Sequence, residues 1–476
     1  MHVRTGTSLI STIVLWFFVV MSLLPPGNAR AFGLDDEKTL GRKVMEQIRE
    51  QLPLIEDGEI LTYVQSVGKR VARQIGATPY QFQFFIVDES VPNAFAVPGG
   101  YIFVNRGLIE LMGSEGELAS ILSHELAHIE AQHIRRRLEQ GKFFNIAAVA
   151  GMIAAAFLGL KGDASQAIAS GTLAGARSLQ LKYSRENEEE ADQLGFRYLC
   201  AAGYDPENMV NAMERLSRAQ WRSNARSTSY LSTHPAVGER IQYLEILAQQ
   251  YHRTKSKPKG VEPAGDFAFM RAALVSEYED PQVALKRFEN EVREGIPAAT
   301  YGLGRLYLRQ GFVEKAVPHL QKSAREHPDS PMVLGTLGYA YFQQGRLQEA
   351  RKTLQSALAL DTSAFVVHFR LALLLQDLGD DAEALAHLQK IEEYAPALPE
   401  IDYHLGVILG RMGRLGPAHF HLGRYYLHKQ EWKTALFHYE KAKDLYRSSP
   451  AREQEIDREL KEIGKKVRGA SRATFR

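Results

Sequence analysis

Cysteine is nearly absent. Cys200 is the only one in 476 residues, so no disulfide can form within the chain and cysteine usage does not identify a redox compartment. Excess charge of either sign is also absent. Lysine and arginine total 58 against 56 aspartates and glutamates, which gives no electrostatic case for nucleic acid as a partner. No apolar run reaches the roughly 20 residues that cross a bilayer. Two shorter runs exist. Residues 9–24 follow a weakly basic head (His2, Arg4) and precede Pro25, Pro26 and Ala29-Arg30-Ala31. That order predicts a signal peptide over 1–31, with cleavage after Ala31; a retained anchor is the alternative. No cysteine stands at the end of the run, so a bacterial lipid anchor is not expected. Residues 143–160 are broken only by Asn145. They read either as a buried or lid helix near a site, or as a membrane-seeking helix in peripheral contact with a bilayer.

Hydrophobic residues make up 45% and charged residues 24%, a globular balance in a chain long enough for two to four domains. Residues 34–75 read as two helices, with Ile60, Val64, Val67 and Val71 at helical spacing. "YQFQFFIVDE" (80–89) and "YIFVNRG" (101–107) read as strands. The intervening "VPNAFAVPGG" carries two prolines, which suit an edge strand or turn and not a central strand. From Ser114 onward the pattern is helical for most of the chain.

From about Phe267 the chain repeats. Gly304, Gly338, Ala372 and Gly406 stand 34 apart. So do Gly311, Gly345, Gly379 and Gly413, and so do Ala316, Ala350, Ala384 and Ala418. A small residue at a close helix contact, a glycine at the turn and a second small residue, every 34 positions, is the tetratricopeptide pattern. It predicts a curved solenoid with a concave binding face. Gly423 restarts the motif only 17 residues after Gly406, so one helix near 414–427 is expected to close one repeat and open the next.

"SHELAHIEAQH" (123–133) holds the chemistry. Residues four apart on a helix lie about 40° apart around its axis and ~6 Å apart along it. His124 and His128 can therefore aim at one ion, with Glu125 beside it to hold a water. Chance would supply an HExxH on the order of 0.03 times in such a chain, so the motif needs a second support. A catalytic zinc wants a third protein ligand and an open position. The extended form with glycine at 131 and histidine at 134 fails, because the chain has Ala131 and Ile134, and His133 comes one place early. Downstream, "YSRENEEEADQLG" (183–195) sets Glu188 and Asp192 four apart on one helical face, with the small Ala191 and Gly195 for close packing. An acidic pair facing an HExxH helix makes a site of two histidines and a glutamate; a solvated charged face is the plainer reading.

In this order, "NAFAVPGGYIFVNRGLI", "SHELAHIEAQH" and "YSRENEEEADQLG" resemble the HtpX-type zinc peptidases. The signal peptide and trailing repeats narrow the likeness to exported, repeat-bearing members. The resemblance covers about 35–250 by motif and the rest by repeat pattern. It implies Glu188 as the third ligand, with Glu189 as the fallback in register, and Asp192 as a second carboxylate that orients a ligand histidine or donates a proton. It implies 93–97 as an edge strand that pairs with substrate. It implies work on misassembled proteins at the outer membrane, with the β-barrel assembly machinery as partner. His234, in "STHPAVGER" (232–240), could fill the open zinc position as a fourth metal ligand and keep the enzyme latent. The other roles are an oxyanion donor or a core histidine.

The expectation is a mainly α chain. Residues 32–255 would be an HExxH zincin-type (gluzincin) metalloprotease domain with a small β-sheet, binding one Zn2+ per chain. A linker at 256–265 would precede an α-solenoid of tetratricopeptide repeats at 266–450 and a basic tail at 451–476. The expected function is a periplasmic zinc endopeptidase acting on unfolded or misassembled exported protein, with a chaperone or assembly role through its repeats. The alternative is a repeat-based chaperone or adaptor with a silent or structural zinc site.

Overall fold

The computed structural model describes residues 33–140, 183–223, 230–254, 267–394, 399–446 and 450–473. The expected signal peptide, the apolar run at 143–160 and the linker lie outside these residues. Among the described residues, no helix is long and apolar enough to cross a membrane.

Two helices open the first half, Leu34–Gln51 and Gly58–Ala72. Asp57 starts the second by accepting hydrogen bonds from the backbone N–H groups of Glu59 and Ile60, which would otherwise lack partners. Three strands follow: β1 (Gln83–Val87), β2 (Ala94–Val97) and β3 (Tyr101–Asn105). Their order is β1-β3-β2, with β1 parallel and β2 antiparallel to β3. Side chains alternate between the faces. Phe84, Ile86, Ala94, Ala96, Ile102 and Val104 join the main core. Val87, Phe95, Val97 and Phe103 meet Leu40, Val44 and Ile48 of the first helix. Both faces are covered, which is why the strands read as nearly continuous apolar runs. Prolines at 92 and 98 bracket β2, and it takes an edge, as their missing N–H groups require.

The HExxH motif lies on Glu115–Glu130, a helix capped by Ser114, with every residue from Glu115 to Ile129 buried. Arg185–Ala201 packs against it. Gly195 makes the approach possible, since a Cβ there would lie 3.2 Å from both the N and the Cα of His124. The helices Glu207–Ser223 and Val237–Thr254 complete this half, with the short helix Tyr230–Thr233 between them.

The second half is a stack of antiparallel helices from Phe267–Tyr278 to Trp432–Leu445. Gly311, Gly345, Gly379 and Gly413 turn the chain between helices at φ from 74° to 81°, the left-handed region that glycine enters without cost. Ala316, Ala350, Ala384 and Ala418 are buried where helices touch. Leu415–His428 packs on both Pro399–Arg411 and Trp432–Leu445, so one helix closes one pair and opens the next, as the broken register requires. The described part of the stretch expected as a basic tail lies in the helix Pro450–Ala473. Its Ile456 and Ile463 are buried over the last repeat pair, so it caps the stack.

The two halves share one apolar core. Phe267 of the array lies 6.3 Å, ring to ring, from Tyr63. Arg305 and Arg370 of the array both reach Glu59 on the helix Gly58–Ala72.

Candidate metal centre

His124 and His128 stand one turn apart on the buried helix, and their Nε2 atoms face each other at 3.0 Å. Their outer nitrogens determine what those inner atoms are. His124 Nδ1 lies 2.9 Å from Asp192 Oδ1. A carboxylate only accepts, so Nδ1 carries the proton and Nε2 presents a lone pair. His128 Nδ1 lies 2.7 Å from His133 Nδ1, and His133 Nε2 lies 3.1 Å from Glu190 Oε2. Glu190 accepts from His133 Nε2, His133 Nδ1 accepts from His128, and the inner Nε2 of His128 is again a lone pair. These tautomers are assigned from partners. The two lone pairs point at one another, with Glu188 oxygens at 3.6 Å and 3.5 Å. Such a cluster repels itself unless a cation sits within it.

His234 closes the group. Its Nδ1 is 3.0 Å from Glu188 Oε1 and 3.4 Å from His124 Nε2. One donor atom from each of His124, His128, Glu188 and His234 lies within 4.8 Å of all the others. Tyr230 stacks on the His234 ring at 4.3 Å, and Tyr183 stacks on His128 at 3.8 Å. Both aromatic contacts hold imidazole planes in place.

Charge also fits a divalent ion. Glu125, Glu188 and Asp192 are buried carboxylates, and Arg240 is buried among them. Arg240 donates from Nε and Nη2 to both oxygens of Asp192, each at 2.7 Å, and from Nη1 to Glu188. Three negative charges against one positive leave two, in an interior where uncompensated charge is costly. With protein charges alone, burial and Arg240 resist protonation of His124, yet Asp192 and Glu188 outweigh them and push its pKa up to about 9. A proton on His124 and a metal ion therefore compete for one position. Burial holds His128 well below the ordinary histidine value, which keeps its lone pair free.

Glu125 is fully buried, and among the described residues neither carboxylate oxygen has a hydrogen-bond partner. The nearest cationic candidate, His234 Nε2, is 3.6 Å away. A buried carboxylate left without a partner is costly and suits a group that must accept a proton.

The structure thus brings together His124, Glu125, His128, Glu188, Asp192 and His234. It turns Glu189 outward, where it accepts from Gln193. His133, set aside as a ligand, supports His128 from behind; Gln132 at φ 56° makes the turn that returns it. Arg240 and Tyr243, which also donates to Asp192, were not foreseen. Neither has a spacing signal, since their partner lies 48 and 51 residues earlier. Among the described residues, the gap beside His128, Ala96 and Val97 holds only about 10 Å³.

Residues 61–248 match the Peptidase family M48 model. Tetratricopeptide repeat models match 277–331, 301–365 and 341–406. A Vibrio cholerae protein named as a β-barrel assembly-enhancing protease is 30% identical over 64% of this chain and 63% of its own length. The β-barrel assembly-enhancing protease of Escherichia coli is 27% identical over 69% of this chain and 68% of its own. Metalloprotease LoiP of Escherichia coli is 25% identical over 45% of this chain and 82% of its own. The match thus spans less than two thirds of the Vibrio relative and slightly more of the first Escherichia coli one.

Proposed function

For a chain that carries a metallopeptidase domain of family M48 over residues 61–248 and tetratricopeptide repeats beyond it, we propose a zinc-dependent endopeptidase of the cell envelope. Its substrates would be misfolded or misassembled exported proteins, with the array recruiting substrate or the β-barrel assembly machinery. The relatives' printed names support that setting. The observation that carries the reaction is the pair of opposed histidine lone pairs beside an unpartnered buried glutamate.

His124, His128 and Glu188 would hold the zinc, and His234 the remaining position. When bound, zinc lowers the pKa of a water from 15.7 towards ~7 and polarises a carbonyl. The remaining steps belong to the chain. Glu125 takes a proton from the attacking water and returns it to the leaving amine. Asp192 keeps the His124 proton on Nδ1, as carboxylates behind ligand histidines do. Substrate would add to the free edge of β2 by main-chain hydrogen bonds, which favours unfolded chains. His234, buried in the donor cluster, supports the latent reading: the loop that bears it must move before a peptide enters. A silent site with a purely chaperoning array gives Glu125 no reason to lie buried without a partner.

The test is zinc content and casein cleavage of the purified chain beside Glu125→Gln. The variant is expected to keep zinc and to lose about 10²–10⁴-fold in cleavage. Near-normal cleavage by the variant would remove Glu125 from its role, and a zinc-free parent would remove the metal.

A further inference from the structure

At the junction of the two halves lies a cavity of about 350 Å³, far from the metal centre in sequence and separate from it in lining. The peptidase half contributes only the turn at residues 56–59, at the start of Gly58–Ala72. The array contributes the rest, from the inner helices of successive repeats. The cavity therefore exists only while the halves are docked.

The floor is internally neutralised. Arg305 and Arg370 share the carboxylate of Glu59, and Asp57 lies 3.9 Å from Arg305. Thr336 and Tyr301 accept from Arg370 and Arg305 respectively. Two guanidiniums and two carboxylates cancel, so the floor has no charge left for an anionic ligand. The rim differs. Glu56, Glu277 and Glu400 border the opening, and among the described residues no cation pairs with Glu56 or Glu277; Glu400 has only Lys429, 3.6 Å away at the surface. The wall is apolar and unfilled. Tyr339, Val366, Phe369 and Leu373 line it while only partly buried.

We propose that this junction cavity binds a short peptide segment in which an aromatic or branched apolar side chain is flanked by lysine or arginine. The apolar side chain would fill the space between Phe369 and Leu373. The flanking cations would meet the acidic rim, with the ring of Phe369 adding cation–π attraction; the Tyr339 ring already carries the Arg370 guanidinium, 5.4 Å from its centroid. The volume is at the low end for ligand sites and accommodates one or two side chains, so recognition is of a motif and not of a folded surface. Acidic segments are rejected, because the rim repels them and the arginines are already engaged. This deepens the recruiting role proposed for the array and rests on that reading, while binding here is measured apart from cleavage.

The test is fluorescence anisotropy with the full chain carrying Glu125→Gln, so that the probe is not cut. The probe is a fluorescein-labelled decapeptide, GSKFKLKGSG. Controls replace its three lysines by glutamate, or its phenylalanine and leucine by serine. The lysine-phenylalanine probe is expected to bind at least tenfold more tightly than either control. Phe369→Ala and the pair Glu277→Gln with Glu400→Gln should each weaken it about tenfold, a loss of ~1.4 kcal/mol. All three positions are partly or fully exposed, and an unchanged thermal midpoint and zinc content would show that fold and metal site are intact. Equal or tighter binding of the glutamate probe would overturn the proposal. So would lysine-probe binding that ignores both sets of substitutions, because the peptide would then sit elsewhere. Loss of zinc or of cleavage in the parent chain would count against the peptidase reading alone.

Discussion

At the residue scale, the centre's weight rests on which carboxylate faces inward. Glu188 is buried between two histidines and Arg240, while Glu189 is exposed on the same helix. Glu188→Ala is therefore expected to lower zinc occupancy sharply, and Glu189→Ala to leave it unchanged; metal analysis after dialysis decides it. The reverse result would shift the register by one. His234 poses a question of sign. As a plug it excludes the substrate carbonyl, so His234→Ala should raise casein cleavage and self-cleavage. As an oxyanion donor its loss should lower kcat by about 10²–10³-fold. Burial of His234 within hydrogen-bond reach of Glu188 favours the rise. A strong fall with zinc retained would leave only the donor role. HExxH was legible because helix geometry alone aligns residues four apart. The hydrogen-bond chains behind the two histidines were not, because His133 reaches His128 through a left-handed turn at Gln132, and Arg240 reaches Asp192 across a gap no periodicity encodes.

At the element scale, β2 shows how a weak sequence signal becomes a strong structural one. Two prolines demoted 91–100 to an edge strand or turn, and among the described residues β2 pairs with β3 alone. The bond from Asn105 N–H to Asn93 O sets the alternation. Asn93, Phe95 and Val97 face the ladder, whereas Ala94 and Ala96 turn their N–H and C=O outward. The outward groups are those a substrate strand would use. Ala96→Pro removes one outward donor and spares the ladder. It is expected to raise KM for an unfolded substrate about 3–10-fold with kcat and zinc content kept, the value of one net hydrogen bond. An unchanged KM would place substrate elsewhere. The repeat helices were legible in phase because glycine at a left-handed turn and alanine at a close contact are steric requirements. The helix Pro450–Ala473 was not, since its charged residues conceal the two isoleucines that seat it.

At the scale of the whole molecule, one buried carboxylate joins the halves. Glu59 lies on the helix Gly58–Ala72, which also packs on the HExxH helix. It faces Arg305 from one repeat helix and Arg370 from another, all three nearly buried. Burying such a cluster need not add net stability, but breaking it from one side leaves charge without compensation, at about 3–5 kcal/mol. Glu59→Gln should therefore lower the urea midpoint markedly and loosen the array from the peptidase half. The triple change Glu59→Leu, Arg305→Met and Arg370→Met removes all three charges at similar volume and should restore most of the loss. Urea titrations of the parent, the single and the triple variant separate this from a packing effect. If the triple variant is as unstable as Glu59→Gln or more so, the ions are not the cause and shape at the junction is. If it recovers, the array is held to the peptidase by a charge cluster that specifies how the halves meet, and the active-site helix lies one packed helix away from that contact.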